Sequence, residues 1–116
     1  MLFEENLLTT IEELTHSLDK TIDKYLEAGL KLADAESEYS IILRQKALVE
    51  KDAGVSVTFI DKFLRGDAEI AQKRKQRDIC EAYRDTLKEK INSLKLQIRV
   101  VESQAQREWA DRQSNG

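Results

Sequence analysis

Apolar residues recur at alternating spacings of three and four along residues 6–53, which predicts one long amphipathic helix of the coiled-coil type. Ten of the twelve inward positions are apolar or small, and Thr21 and Lys46 are the exceptions. Position a of the repeat holds Ile11, Leu18, Tyr25, Leu32, Tyr39 and Lys46, and position d holds Leu14, Thr21, Ala28, Ala35, Ile42 and Val49.

A second apolar stripe predicts another helix over residues 68–110. The polar run of residues 73–77 weakens the pattern near its start, and the spacing is regular from Tyr83 onward. The stripe consists of Ile70, Arg77, Cys80, Leu87, Ile91, Leu94, Ile98, Val101, Ala105 and Trp109, with Tyr83 alongside.

The connector between the two helices, residues 54–67, is the one place where the local chemistry favours a turn. Gly54 suits the left-handed conformation that closes a helix, and Val55 can make the apolar contact that accompanies it. Gly54 is therefore predicted to end the first helix.

A short helix is predicted inside the connector over residues 58–64. Ser56 or Thr58 can cap its beginning. Gly66 stops it, and Asp67 is a good N-cap for the helix that follows.

These elements predict an all-α fold, a long antiparallel helical hairpin that forms a single domain over residues 1–112, with residues 113–116 disordered. Neither long helix is stable alone, because each exposes an apolar stripe. Residues 1–50 carry 11 acids and 5 bases and residues 51–116 carry 11 acids and 14 bases, so antiparallel pairing brings opposite net charges together.

A two-helix hairpin covers only one side of each helix. We therefore expect self-association into a dimer or larger bundle.

The amino-acid composition and the absence of certain motifs argue against several cellular locations and kinds of site. The chain has 116 residues, no proline and one cysteine, Cys80, which suggests a reducing compartment. No apolar run reaches the length of a membrane span, and the N-terminus lacks the pattern of a signal peptide, so we expect a cytoplasmic protein that does not bind membranes. The lone His16 has no partners at metal-ligand spacing, and no nucleophile or phosphate-loop motif is present. We expect no catalytic residue, metal or cofactor.

A basic run, Lys73, Arg74, Lys75 and Arg77, is the first candidate contact surface. It could bind nucleic acid or an acidic protein. The alternative, a solvated face or pairing with the acidic first helix, is favoured because acids are interspersed and no aromatic residue lies within the run.

The second candidate is an apolar cluster in the connector, with Phe59, Phe63 and Leu64 as candidate partner-binding residues. It either seals the end of the hairpin or contacts a partner. Trp109 either packs against Leu7, Leu8 or Phe3, or is an exposed aromatic anchor for a partner.

Several segments together resemble small helical proteins, themselves uncharacterised, that phages and prophages of Gram-positive bacteria encode. The resemblance covers roughly residues 32–110, and its motifs are mostly structural. They are Ala33-Asp-Ala-Glu-Ser-Glu-Tyr39, Gly54-Val-Ser-Val-Thr58, Gly66-Asp-Ala-Glu-Ile-Ala71, Lys95-Leu-Gln-Ile-Arg99 and Arg107-Glu-Trp109. The resemblance implies a phage accessory protein in the host cytoplasm and brings no catalytic residue with it.

We therefore expect a non-enzymatic accessory protein that acts by helix-mediated contact with itself or with an unidentified host or phage protein. Two alternatives stay open. One is a nucleic-acid-associated factor that uses residues 73–77, and the other is an inhibitor of a host defence enzyme.

Overall fold

The computed structural model describes residues 2–115, with side chains described for residues 6–114. Three helices follow one another: α1 over Leu2–Asp52, α2 over Val57–Arg65 and α3 over Ala68–Asn115. α1 and α3 pack antiparallel and α2 joins them, which confirms the all-α hairpin. α3 continues through residues 113–115, where the sequence analysis expects disorder, because no glycine or proline interrupts the helix before Gly116.

The residues form two compact units by their internal contacts. The first contains residues 1–26 and 86–116, and the second contains residues 27–85. The long helices contribute to both units, and α2 belongs to the second.

The predicted α1 stripe is the packed face of that helix. Eleven of its twelve positions are buried or half-buried, and Val49 is the exception. Thr21, a polar exception in the pattern, is buried and its hydroxyl donates a 2.7 Å hydrogen bond to the Ser17 carbonyl oxygen. Its polar group is thereby satisfied within the helix.

The α3 stripe differs from the prediction at three positions. Arg84 is half-buried, whereas Tyr83 and Trp109 are exposed. Leu87 follows Arg84 by three residues and Cys80 precedes it by four, so Arg84 continues the three-and-four spacing that Tyr83 breaks.

The hydrophobic core of the second unit lies where the three helices meet. Ile70, at the start of α3, is fully buried there with Ile42 of α1 and with Ile60 and Leu64 of α2. Val55 packs against this cluster from the connector. The apolar cluster predicted in the connector therefore contributes to the core, but only through the Ile60 and Leu64 side of α2.

Gly54 closes α1 as predicted. Its φ is +84°, its amide donates to the Lys51 carbonyl oxygen at 3.0 Å, and the Val55 amide donates to the Glu50 carbonyl oxygen at 3.1 Å. These two bonds form a Schellman motif. Ser56 is the N-cap of α2 by its backbone position, although its hydroxyl makes no capping hydrogen bond to the described residues.

Two glycine substitutions are expected to change stability in opposite directions. Gly54→Ala should lower the free energy of unfolding by about 1–2 kcal/mol, because alanine resists the left-handed conformation. Gly29→Ala should raise it by about 0.5–1 kcal/mol, because Gly29 lies inside α1 and an added Cβ meets no described atom within 4 Å. Chemical denaturation followed by circular dichroism measures both. A stabilised Gly54→Ala variant would contradict the assigned turn.

Candidate protein-interaction surface

The exposed side of α2 presents two aromatic rings. Phe59 and Phe63 are 59% and 64% exposed, and they lie four residues apart on one helix face. Leu64, predicted as a third partner-binding residue, is only 8% exposed because it packs into the core. α2 therefore buries Ile60 and Leu64 and exposes Phe59 and Phe63, together with Val57 at its first position. We define Phe59 and Phe63 as the α2 face.

A groove of about 360 Å³ runs beside the α2 face. Phe63 and Leu64 line it from α2, and the exposed Val49 lines it from the end of α1. Its remaining lining is polar and consists of Lys46, Glu50 and Asp67. Three of its six lining residues are apolar and three are charged, so the groove offers apolar surface to a partner side chain with polar groups beside it.

A second groove of about 580 Å³ also borders α2. The residues that line it are Leu43, Ala47, Val57, Thr58, Ile60, Asp61, Lys62, Leu64 and Arg65. Leu64 lines both grooves, so the buried side of α2 separates them. The connector thus offers two exposed rings with an indentation on each side.

An ion pair between α1 and α3 fixes the position of the first groove. The Lys46 ammonium group lies 2.8 Å from both carboxylate oxygens of Asp67 and 3.0 Å from Glu69 Oε2. Asp67 Oδ1 also accepts hydrogen bonds of 3.0 Å from the amides of Glu69 and Ile70, which confirms Asp67 as the N-cap of α3.

The same contacts shift the pKa values of Lys46 and Asp67. The hydrogen bond from Lys46, followed by that from the Ile70 amide, lowers the pKa of Asp67 below its usual 3.8. The hydrogen bonds to Asp67 and then Glu69 raise the pKa of Lys46 above its usual 10.5. Both groups therefore stay charged over a wide pH range.

The basic run of α3 is largely engaged by α1. Lys73 Nζ lies 3.0 Å from Glu38 Oε2. Arg77 and Arg74 place their guanidinium carbons 4.6 and 5.8 Å from the centre of the Tyr39 ring, and Arg77 also pairs with Asp78 at 2.9 Å. Three members of the run therefore contact side chains of this chain, and Lys75 is exposed.

Trp109 lies in the first unit and is 56% exposed. Leu7 is buried and Leu8 is exposed, whereas the Phe3 side chain, a predicted contact of Trp109, lies outside the described residues. Trp109 thus remains available as an aromatic contact, but it belongs to a different unit from the α2 face.

Other kinds of site find little support in the part of the chain that the structure describes. No group of three or more His, Cys, Asp and Glu side chains there could hold a metal ion. No helix among the described residues is long and apolar enough to cross a membrane.

The chain matches no known protein family, no curated protein and no solved structure. Its function is therefore inferred from the geometry of its own side chains.

The ion pair predicts a specific dependence of stability on pH. Because the pKa of Asp67 is lower in the folded chain, its contribution is complete above about pH 3.8 and is lost as the pH falls through the folded value. Asp67→Asn keeps a capping side chain but removes the charge, so its loss of stability on acidification should be smaller than that of the wild type. Urea denaturation at several pH values between 7 and 2 measures the difference.

Asp23→Asn is the control, because it removes one exposed carboxylate from the interior of α1. Its acid dependence should follow that of the wild type. Identical pH profiles for the wild type and Asp67→Asn would contradict a stabilising role of the pair.

The engaged basic run predicts weak binding of nucleic acid. We expect labelled duplex DNA to bind no more tightly than about 10⁻⁴ M at physiological salt, the weak end of nonspecific binding. Titrations at two salt concentrations test this. Tight binding that falls steeply with salt, and that disappears when Lys73, Arg74, Lys75 and Arg77 are replaced by glutamine, would favour the nucleic-acid alternative instead.

Proposed function

We propose that this protein is a non-enzymatic interaction protein whose α2 face binds a partner protein. The observation that carries the proposal is the exposure of Phe59 and Phe63 on a helix that is held on the core by Ile60 and Leu64. Exposing two phenylalanines one turn apart costs free energy that burial in the chain would recover. A partner that covers both rings recovers it on binding.

The partner's chemistry follows from the groove. A side chain that enters between Phe63 and Val49 meets apolar surface, because these residues and Leu64 form the apolar part of the lining, and an apolar side chain fits there best. Glu50 and the Lys46–Asp67 pair offer polar contacts beside it. An amphipathic helix suits this arrangement, since it presents apolar anchors at helical spacing with polar residues next to them.

A rigid base supports the α2 face. Ile60 and Leu64 hold α2 on the core, and the Schellman motif at Gly54 sets its starting point. The rings therefore project from a helix whose position is fixed before binding, which lowers the entropy cost of association.

The nucleic-acid alternative is less well supported, because Lys73, Arg74 and Arg77 contact Glu38, Tyr39 and Asp78. Inhibition of a host defence enzyme is a special case of the proposed function, in which the bound partner is that enzyme. A phage origin is a prediction that rests on the resemblance described above.

The test compares three baits in affinity capture from a bacterial lysate, followed by titration of each captured protein in purified form. The baits are the wild type, Phe59→Ala/Phe63→Ala and Leu96→Ala/Val100→Ala. The control removes another exposed apolar pair at the same spacing, in α3. We expect the Phe59/Phe63 variant to weaken binding about hundredfold or more, as for two aromatic anchors, and the control to change it less than threefold.

Circular dichroism must show the same helix content for all three proteins. Equal affinity of the partner for the wild type and the Phe59/Phe63 variant would contradict the proposal. Loss of binding in the Leu96/Val100 variant alone would place the site on α3.

A further inference from the structure

The outward side of α1 in the second unit carries a second heptad stripe that the hairpin does not use. Its eight positions follow one another at spacings of three, four, three, four, three, four and three, and all eight side chains are exposed. We call it the outer stripe. It consists of Glu27, Leu30, Asp34, Ser37, Ile41, Arg44, Leu48 and Lys51.

The outer stripe is a different face from the packed seam. The residues of that seam in the same part of α1, from Ala28 to Lys46, are buried or half-buried. The outer stripe instead exposes Leu30 to 69%, Ile41 to 54% and Leu48 to 48%. Three of the eight positions are therefore exposed large apolar residues, and four of the other five carry a charge, so the outer stripe combines apolar contacts with possible ion pairs.

The outer stripe is complementary to itself when read backwards. When a second α1 runs antiparallel to the first and the two cross at residue 39, Leu30 lies opposite Leu48 and Ser37 lies opposite Ile41. The charges agree with this reversal, because Asp34 falls opposite Arg44 and Glu27 opposite Lys51. Each acidic position thus meets a basic one, and Leu30 of each copy meets Leu48 of the other.

We propose that the outer stripe is the interface of an antiparallel homodimer, in which α1 of one copy packs on α1 of a second copy. A two-fold axis at the level of residue 39 repeats every pair, as an isologous interface requires. The contact runs from residue 27 to residue 51, about 36 Å at the rise of an α-helix. It makes two Asp34–Arg44 pairs and two Glu27–Lys51 pairs between the copies.

Orientation follows from the same charges. In a parallel pair each position meets its own copy, so Asp34 would face Asp34 and Arg44 would face Arg44. Like charges at facing positions destabilise such an interface. None of the ion pairs described within the chain uses Asp34 or Arg44, so both are available to a second copy.

The proposal is independent of the α2 face, since Phe59 and Phe63 lie outside the outer stripe. The self-association expected from the sequence is thereby given a defined interface, with a named helix, an orientation and facing residues. We favour a second copy as the occupant of the stripe. A second copy carries the same residues, so in the antiparallel orientation its charges necessarily match the reversed order.

Charge reversal tests the interface by sedimentation equilibrium of the full chain from micromolar to millimolar concentration. The wild type should dimerise. Asp34→Arg and Arg44→Asp should each weaken the dimer about tenfold or more, because each substitution turns two attractive contacts into repulsive ones. The double variant Asp34→Arg/Arg44→Asp restores opposite charges at both contacts and should return to within about threefold of the wild type.

A mixture of the two single variants should form a heterodimer more tightly than either variant dimerises alone, because each then meets the opposite charge in its partner. Glu36→Arg is the matched control, an exposed charge reversal on α1 outside the stripe. A monomeric wild type over the whole range, or single variants that dimerise as well as the wild type, would overturn the proposal. Equal weakening by Glu36→Arg would assign the effect to net charge rather than to the stripe.

Discussion

The packing of the second unit depends on one carboxylate, that of Asp67, which contacts both α1 and α3. Asp67 caps α3 through the amides of Glu69 and Ile70, and Lys46 of α1 holds the same carboxylate through both oxygens. A helix N-terminus favours a negative charge, and the ammonium group compensates for it from the opposite side. The start of α3 is thereby fixed beside the end of α1, and Ile70 enters the core three residues later. α2 then has a defined space, which Ile60 and Leu64 fill.

Much of this arrangement can be predicted from local chemistry. Gly54 and Asp67 act within a few residues of themselves, so their roles at a helix end and a helix start follow from residue type. The α1 seam follows from periodicity, because any helix with that stripe must bury it. Arg84 could have been placed on the α3 seam by strict three-and-four spacing, but an arginine gives no apolar signal there.

The remaining features depend on contacts between distant residues. Lys46 interrupts the apolar stripe as a polar residue, and only the position of Asp67, 21 residues away, shows that it forms a capping ion pair. The separation of α2 into buried and exposed sides depends on how that helix is rotated against the core. The sequence shows four large apolar residues there without distinguishing them. Tyr39 likewise receives Arg74 and Arg77 only because α1 and α3 meet at a particular register.

Buried and exposed apolar residues alternate along α2, so neighbouring positions of one helix are under different structural constraints. Ile60 and Leu64 are constrained by the core, whereas Phe59 and Phe63 lie outside it and, on the proposed function, are constrained by the partner. On the proposed function, substitutions at Phe59 and Phe63 would alter partner choice during evolution while the fold persists. Homologues of this chain that differ in partner should then vary at positions 59 and 63 and keep apolar residues at positions 60 and 64.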